Sequence, residues 1–210
     1  MEKLLDLSEF ARLGKRSNKE KIEISGVFRS NQFGNRIKLI PEIMNLGSID
    51  AVQLPNDNQT FHTHPRECPT LDDCSIVPPS AQDMYIYALR DDTNVVISKH
   101  FTYFIKRIYD GPHIKENAEV VLKFYQKVEK YFDDVSENPQ IYHDLFTHAS
   151  RLLNYFTIYR FDNNICFHKV KNNNLPIISN DLKKEEASSG ILPITGAIGA
   201  LAALKVFAPS

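Results

Sequence analysis

The sequence predicts a mixed α/β (α+β) fold in which helices flank a mixed sheet, followed by an apolar C-terminal tail. Short segments rich in Val, Ile, Tyr and Phe alternate with longer segments whose apolar residues recur at helical spacing. The chain has 210 residues, 42% of them apolar, which is enough for one sizeable core plus an appendage. We therefore expect a domain over residues 1–170, a polar linker over 171–189 and an apolar segment over 190–210.

The first part of the chain combines a helical pattern with a strand pair. Apolar residues at helical spacing predict a short amphipathic helix over residues 2–13, ended by Gly14. An apolar run predicts a strand over 21–30. A turn centred on Gly34 then leads to a paired strand over 36–40.

The middle of the chain predicts three strands and one helix. Residues 51–54 are ambiguous between strand and loop, whereas 60–64 follow polar turn residues and form a clear strand pattern. A helix is expected over 80–90, with Met84, Tyr87 and Ala88 packing inward. Two β-branched and aromatic runs, 94–99 and 101–107, predict neighbouring strands joined near His100.

The last part of the domain predicts two helices and a hairpin. Residues 114–132 carry a strong apolar stripe, and a second helix begins at Pro139. We expect His143 and His148, which lie off a common helical face, to be surface or packing residues. Residues 157–161 and 165–170 alternate around a turn at 162–164, which predicts a hairpin that closes the sheet. The stripe of the second helix is expected to comprise Ile141, Leu145, Ala149, Leu152 and Phe156.

A candidate metal site centres on His62 and His64, at the end of a predicted strand. Side chains alternate along a strand, so both imidazoles point to the same side of the backbone and can reach one ion. Asp83 lies one turn into the helix that follows. Two His and one Asp form a ligand set for catalytic Zn²⁺ with an open fourth position. Glu23, in the early strand, would be the spare carboxylate that takes a proton from water.

Each part of this constellation also has a structural interpretation. Ser80-x-x-Asp83 before an apolar run is a helix capping box, which alone explains both residues. Glu23 also fits an exposed position on the polar face of a strand. Asp72 and Asp73 compete with Asp83 as the third ligand, because they are nearer to the His pair in sequence.

The order Glu23…His62-x-His64-Pro65…Ser80-x-x-Asp83 resembles the JAMM motif of the MPN/JAB domain metalloproteases. The resemblance covers roughly residues 4–167 and implies an MPN/JAB-like, cytidine-deaminase-like sandwich. It implies that His62, His64 and Asp83 are zinc ligands, that Glu23 is the general base and that Ser80 stabilises the oxyanion.

The chain departs from the family in the loop that follows the His pair. Fourteen residues, 66–79, separate Pro65 from Ser80, about twice the number usual in the family. The extra residues form a loop beside the expected substrate cleft. Because loops carry function on a rigid scaffold, the departure leaves the motif intact but the substrate class open.

The resemblance implies hydrolysis of amide or isopeptide bonds, with removal of ubiquitin or a ubiquitin-like modifier from a protein. An alternative from another class is an MPN-fold structural or assembly protein without catalysis, for example a virion- or membrane-associated one. A third is a deamidase-like or desulfurase-like JAB enzyme that acts on small amides or on thiocarboxylated carrier proteins.

Composition limits the partners and the compartment. A net charge of −1 without a broad basic stripe gives no support for nucleic-acid binding. Three cysteines without regular spacing predict a reducing, cytoplasmic environment. Cys68 and Cys74 flank residues 69–73, but this loop offers too few ligands for a second metal. The first fourteen residues are too charged for a signal peptide.

The last segment differs from the rest of the chain. Residues 190–208 are apolar except for Lys205, and their number is close to that of a membrane-spanning helix. Pro193 and many small residues nevertheless make the segment a poor candidate for such a helix. Three interpretations of this segment stay open: a membrane tail anchor, a segment that docks into a protein assembly, and a disordered or processed tail. The sequence does not predict the oligomeric state.

Overall fold

The computed structural model describes residues 2–49, 51–65, 78–135 and 139–171. Within them, strands and helices form a mixed α/β architecture, so the coarse fold class is confirmed, whereas the MPN/JAB assignment stays a prediction. In chain order the elements are β1 (Glu2–Asp6), α1 (Ser8–Glu20), β2 (Ile24–Phe33), β3 (Arg36–Leu46), β4 (Gln59–Thr63), α2 (Ala81–Leu89), β5 (Thr93–Ile97), β6 (Phe101–Arg107), α3 (Ile114–Val135), α4 (Pro139–Leu153), β7 (Phe156–Asp162) and β8 (Phe167–Lys171).

One curled sheet contains all eight of these strands, in the order β7-β6-β5-β4-β2-β3-β1-β8. The β1–β3 and β4–β5 pairs are parallel, and the other pairs are antiparallel. Strands β7 and β8 are the two edges, yet only residues 163–166 connect them. The edges therefore approach each other, and the ring centroids of Phe161 and His168 lie 4.9 Å apart.

The predicted hairpin between residues 157–161 and 165–170 is wrong. Strand β8 pairs with β1, with Leu4 opposite Lys169, and β7 pairs with β6. The turn at residues 162–164 is hydrogen-bonded to the turn between β5 and β6. The Asn163 side chain donates to the carbonyl of Ser98 at 2.8 Å. The alternation in both segments reflects real strands, but their partners are distant in sequence.

The predicted helix over residues 2–13 is wrong in its bounds. Residues 2–6 are a strand, and the helix begins at Ser8 and passes Gly14 to end at Glu20. A Cβ on Gly14 would lie 2.3 Å from the carbonyl oxygen of Ser98, so the helix meets the β5–β6 turn at a residue without a side chain. Gly14 is therefore a point of close packing and not a helix end. The next residue after the helix, Lys21, caps it with a left-handed φ of 55°.

The remaining predicted helices and strands are present, with shifted boundaries. Strand β3 continues to Leu46, and residues 51–54 form no strand. The stripe predicted for α4 fails at its end, because Leu152 is 40% exposed and Phe156 belongs to β7. His143 is fully buried, which confirms a packing position.

The two faces of the sheet contact different helices. On one face α1 covers an apolar cluster that includes Phe10, Phe28, Phe61 and Phe104. On the other face α2, α3 and α4 pack against side chains of β5, β6 and β7. Successive residues of β4 point to opposite faces, so Phe61 enters the α1 cluster and His62 faces the three-helix layer.

Residues 66–77 and 172–210 lie outside the described residues. The expectations for Cys68, Asp72, Asp73 and Cys74, for the linker over 171–189 beyond its first residue, and for the apolar segment therefore stay predictions. Among the residues that the structure describes, no helix combines the length and hydropathy needed to cross a membrane.

Candidate metal centre

The two histidines of the centre lie at the end of β4. This strand is central, since it pairs with β2 on one side and with β5 on the other. His64 follows the last residue of β4, and its backbone N–H still donates to the carbonyl of Ile97 at 2.9 Å. The extended backbone therefore continues past the strand, and both rings project from the same face. Their Nε2 atoms lie 2.9 Å apart.

Helix α2 brings Asp83 to this pair, and a capping box begins the helix. The Asp83 N–H donates to Ser80 Oγ at 3.1 Å, and the Ser80 N–H donates to Asp83 Oδ2 at 2.8 Å. The N–H of Ala81, the first helical residue, donates to Glu129 Oε1 of α3 at 2.7 Å. The carboxylate of Asp83 is thus held by its own helix, and that helix by α3.

The donor atoms of the three side chains converge. Asp83 Oδ1 lies 3.2 Å from His62 Nε2, and Oδ2 lies 3.3 Å from His64 Nε2. Ligand atoms of a tetrahedral zinc site, about 2.0–2.2 Å from the ion, are roughly 3.3–3.5 Å apart. The three spacings, 2.9–3.3 Å, are slightly shorter than this, and the donor types, two imidazole nitrogens and a carboxylate, fit a divalent metal such as zinc.

The carboxyl group of Asp83 is anionic at neutral pH despite its burial. Burial raises its pKa, but the charge of His62 and hydrogen bonds from both imidazoles outweigh that effect and hold the pKa well below its usual 3.8. Asp83 is only 9% exposed and His62 only 3%. A buried anion beside two imidazole nitrogens favours a cation between them.

Tyr87 extends the centre beneath His62. Its hydroxyl lies 3.2 Å from His62 Nδ1, on the side of the ring away from Asp83. Burial, with the charges of Asp83 and Asp92 adding to it, raises the pKa of Tyr87 well above its usual value, so the phenol stays neutral. The Nδ1 of His64 is buried without a hydrogen-bond partner among the described residues.

The structure brings Glu23 to the same face of the sheet. Ser25 is opposite His62 in the β2–β4 pair, and Glu23 lies two residues before it. The Ile24 N–H donates to Thr63 Oγ1 at 2.8 Å, which prolongs the contact between the two strands. Glu23 is 8% exposed, so it is not the exposed strand residue of the structural interpretation.

The negative charge of Glu23 also acts on Tyr87, the neighbour of His62. It contributes to the raised pKa of Tyr87, after the larger effects of burial, Asp83 and Asp92. The backbone of Glu23 is fixed on both sides, because its N–H donates to Ser48 at 2.7 Å and its carbonyl accepts from Gly47 at 2.8 Å.

Ser80 has the capping role that its sequence pattern also predicts. Its hydroxyl donates to Asp83 Oδ2 at 2.7 Å and accepts from the Asp83 N–H. The hydroxyl hydrogen is therefore directed at the carboxylate, and Ser80 would have to release it to donate to an oxyanion. The oxyanion role of Ser80 stays a prediction.

The sequence did not identify two neighbours of the centre. Tyr87 was expected only to pack inward, although it lies four residues after Asp83, a spacing that places both on one helical face. Glu129 lies in another helix, 48 residues from the group that it binds. Helical spacing could have indicated Tyr87, whereas nothing local indicates Glu129.

Neither the models of known protein families nor the curated proteins give a match to this chain. The resemblance to the JAMM motif therefore rests on the motif residues themselves and on their arrangement around His62.

Proposed function

We propose that this protein is a zinc-dependent hydrolase of amide or isopeptide bonds, with a ubiquitin-like conjugate as its substrate. The observation that carries the proposal is the convergence of His62, His64 and Asp83 at about ligand spacing. These three side chains would hold the metal. When bound, zinc supplies a Lewis acid that makes water nucleophilic near neutral pH and polarises a carbonyl group.

Glu23 is the residue for proton transfer in this proposal. It shares the face of the sheet with His62, its backbone is fixed at both ends, and it is nearly buried. A carboxylate there can accept a proton from the attacking water and pass it to the leaving amine. Its carboxylate does not belong to the converging group of His62, His64 and Asp83, which suits a base rather than a fourth ligand.

The substrate class comes from the resemblance to JAMM metalloproteases. In that family the same order of residues accompanies cleavage of isopeptide bonds to ubiquitin. The long loop over residues 66–79 lies next in sequence to His64 and Pro65, and so would border the substrate. It is the part of the chain in which we expect the substrate preference to differ from that of relatives with shorter loops.

Metal analysis and one conservative substitution test the proposal. We expect the purified full-length chain to contain about one zinc per molecule. Glu23→Gln should retain the zinc but lower hydrolysis of a panel of di-ubiquitins by about a hundredfold to ten-thousandfold, because the general base is lost. Glu20→Gln is the matched control, since Glu20 is an exposed residue of α1 that pairs with Arg16.

A second candidate is a docking module with the same fold, which the apolar segment 190–208 favours because a freely diffusing hydrolase has no need of it. The full-length protein would then contain no stoichiometric zinc and cleave no di-ubiquitin. Zinc together with cleavage of small amides, but not of di-ubiquitin, would retain the hydrolase and overturn its substrate.

A further inference from the structure

A tyrosine lies directly behind one of the candidate ligands. The Tyr87 hydroxyl is 3.2 Å from His62 Nδ1, and the two ring centroids are 6.4 Å apart. Both side chains are almost wholly enclosed, with Tyr87 1% exposed and His62 3% exposed. Water therefore has little access to compete for this hydrogen bond.

The bond bears on which nitrogen of His62 carries the hydrogen. A neutral imidazole has one N–H and one nitrogen with a free lone pair. Nε2 of His62 faces His64 and Asp83, whereas Nδ1 faces Tyr87. If Nδ1 carries the hydrogen and donates it to the tyrosine oxygen, the lone pair of Nε2 is free for a cation, which would take the place of the hydrogen that Nε2 otherwise shares with Asp83.

We propose that Tyr87 is a positioning residue that holds His62 in the Nδ1–H tautomer and thereby presents Nε2 to a metal ion. The inference rests on the proposed function in one respect, the assignment of His62 as a ligand. Partners of this kind behind metal-binding histidines typically change metal affinity by about 10–100-fold when they are removed.

The two histidines differ in this support. His64 Nδ1 has no hydrogen-bond partner among the described residues, although it is buried. Tyr87 and Asp83 both come from α2, four residues apart, so one helix orients His62 from behind and supplies the third ligand in front. The docking of α2 therefore fixes two of the three ligands together.

The hydroxyl can be separated from the ring experimentally. The ring of Tyr87 belongs to the apolar cluster under α2, and Tyr87→Phe retains that packing while removing the hydrogen bond. Tyr125→Phe is the matched control. Tyr125 is also 1% exposed, and its hydroxyl bonds to Ser150 Oγ at 2.7 Å between α3 and α4.

The experiment measures zinc affinity by competition with a chelating indicator, using the metal alone and the full-length chain. We expect Tyr87→Phe to bind Zn²⁺ about 10–100-fold more weakly than the wild type. Tyr125→Phe should stay within about twofold, while its melting temperature falls as much as that of Tyr87→Phe. Equal affinities for Tyr87→Phe and the wild type would overturn the inference.

A second readout reports the hydrogen on His62 directly. In the zinc-loaded wild-type protein, nitrogen chemical shifts of the His62 ring should show a metal-shifted Nε2 and an Nδ1–H that exchanges slowly, because it is hydrogen-bonded to Tyr87. A metal-shifted Nδ1 at His62, or an Nδ1–H exchange rate that is unchanged in zinc-loaded Tyr87→Phe, would overturn the role of Tyr87 alone. Absence of zinc binding by the wild type would overturn the proposed function and this role with it.

Discussion

Phe61 and His62 are neighbours in β4 and are buried to nearly the same degree, at 0% and 3% exposed, yet they face opposite surroundings. Phe61 lies among aromatic rings, with its centroid 5.8 Å from that of Phe10 on α1. His62 lies among donors and acceptors from α2, including Asp83 and Tyr87. The same strand therefore carries an apolar core on one face and a cluster of titratable groups on the other.

The comparison separates burial that stabilises from burial that costs free energy. Burial of a phenylalanine removes apolar surface from contact with water and stabilises the folded state by about 1.5–3 kcal/mol. Enclosing a carboxylate and two imidazoles loses hydration, which only specific partners can offset, as the two imidazoles do for Asp83. The α1 face accordingly has the composition expected of a core, and the cluster on the other face is better explained by function than by stability.

The largest expected effect comes from the apolar face. Phe61→Ala should lower the free energy of unfolding of the metal-free protein by about 3–5 kcal/mol, because it leaves a cavity among Phe10 and its neighbours. Denaturant unfolding followed by circular dichroism measures this loss.

Asp83→Asn is the counterpart on the other face. The amide oxygen can still accept from the Ser80 N–H, but the charge beside the two imidazoles is removed. The free energy of unfolding of the metal-free protein should therefore fall by about 1–3 kcal/mol, less than in Phe61→Ala, while the predicted zinc binding is lost. A large loss of stability in Asp83→Asn with a small one in Phe61→Ala would reverse the contrast between the faces.

The sequence predicted those parts of the molecule in which the signal is local. Alternation in β4 places His62 and His64 on one side, and the capping box fixes where α2 begins and where Asp83 lies. The sequence therefore placed two candidate ligands on one side of a strand and the third in the first turn of a helix, with Asp72 and Asp73 as competitors for Asp83. Glu23 was identified as the spare carboxylate of the same motif, and the strand that follows it begins at Ile24.

The sequence could not predict features that depend on distant partners. Residues 2–6, in which two leucines lie between charged residues, fit a helix or a strand, and only their pairing with β3 and β8 decides for the strand. Gly14 resembles a helix end until its contact with Ser98 is known. Likewise, the sequence of the turn at 162–164 suggests a hairpin, whereas its hydrogen bonds connect it to the turn between β5 and β6.

Another buried histidine on the three-helix face, His143, gives a further test, with an expected effect on the free energy of unfolding that is smaller than that of Phe61→Ala. His143 Nδ1 is hydrogen-bonded to the Tyr103 hydroxyl, and its ring centroid lies 4.4 Å from that of Phe101. Burial, with the charges of Arg160 and His100 adding to it, lowers the pKa of His143 from 6.5 to about 3. The unfolded chain therefore binds a proton below pH 6.5 that the folded protein does not bind.

The resulting contribution to stability is fully present above about pH 6.5 and is lost as the pH falls from there toward 3. Each pH unit costs up to about 1.4 kcal/mol. His143→Asn keeps an acceptor for Tyr103 but does not titrate. We expect wild type to lose roughly 2 kcal/mol more than His143→Asn between pH 7 and pH 5. Parallel curves of unfolding free energy against pH would contradict this assignment.

The smallest expected effect concerns the contact between α3 and the first residue of α2, the helix that carries Asp83. Glu129 of α3 accepts from the N–H of Ala81, where the N-terminal dipole of α2 favours a negative charge. Glu129→Gln keeps an acceptor oxygen but removes the charge, so the free energy of unfolding should fall by only about 0.3–1 kcal/mol.

If the position of α2 sets that of Asp83, zinc affinity should fall in Glu129→Gln together with this small loss. Glu119→Gln is the matched control, because Glu119 lies on the same helix and its contact with Tyr85 is exposed and long, at 3.5 Å. Weaker zinc binding in Glu129→Gln alone would connect the packing of α3 to the centre. Equal affinities in both variants would show that the capping box by itself suffices to position Asp83.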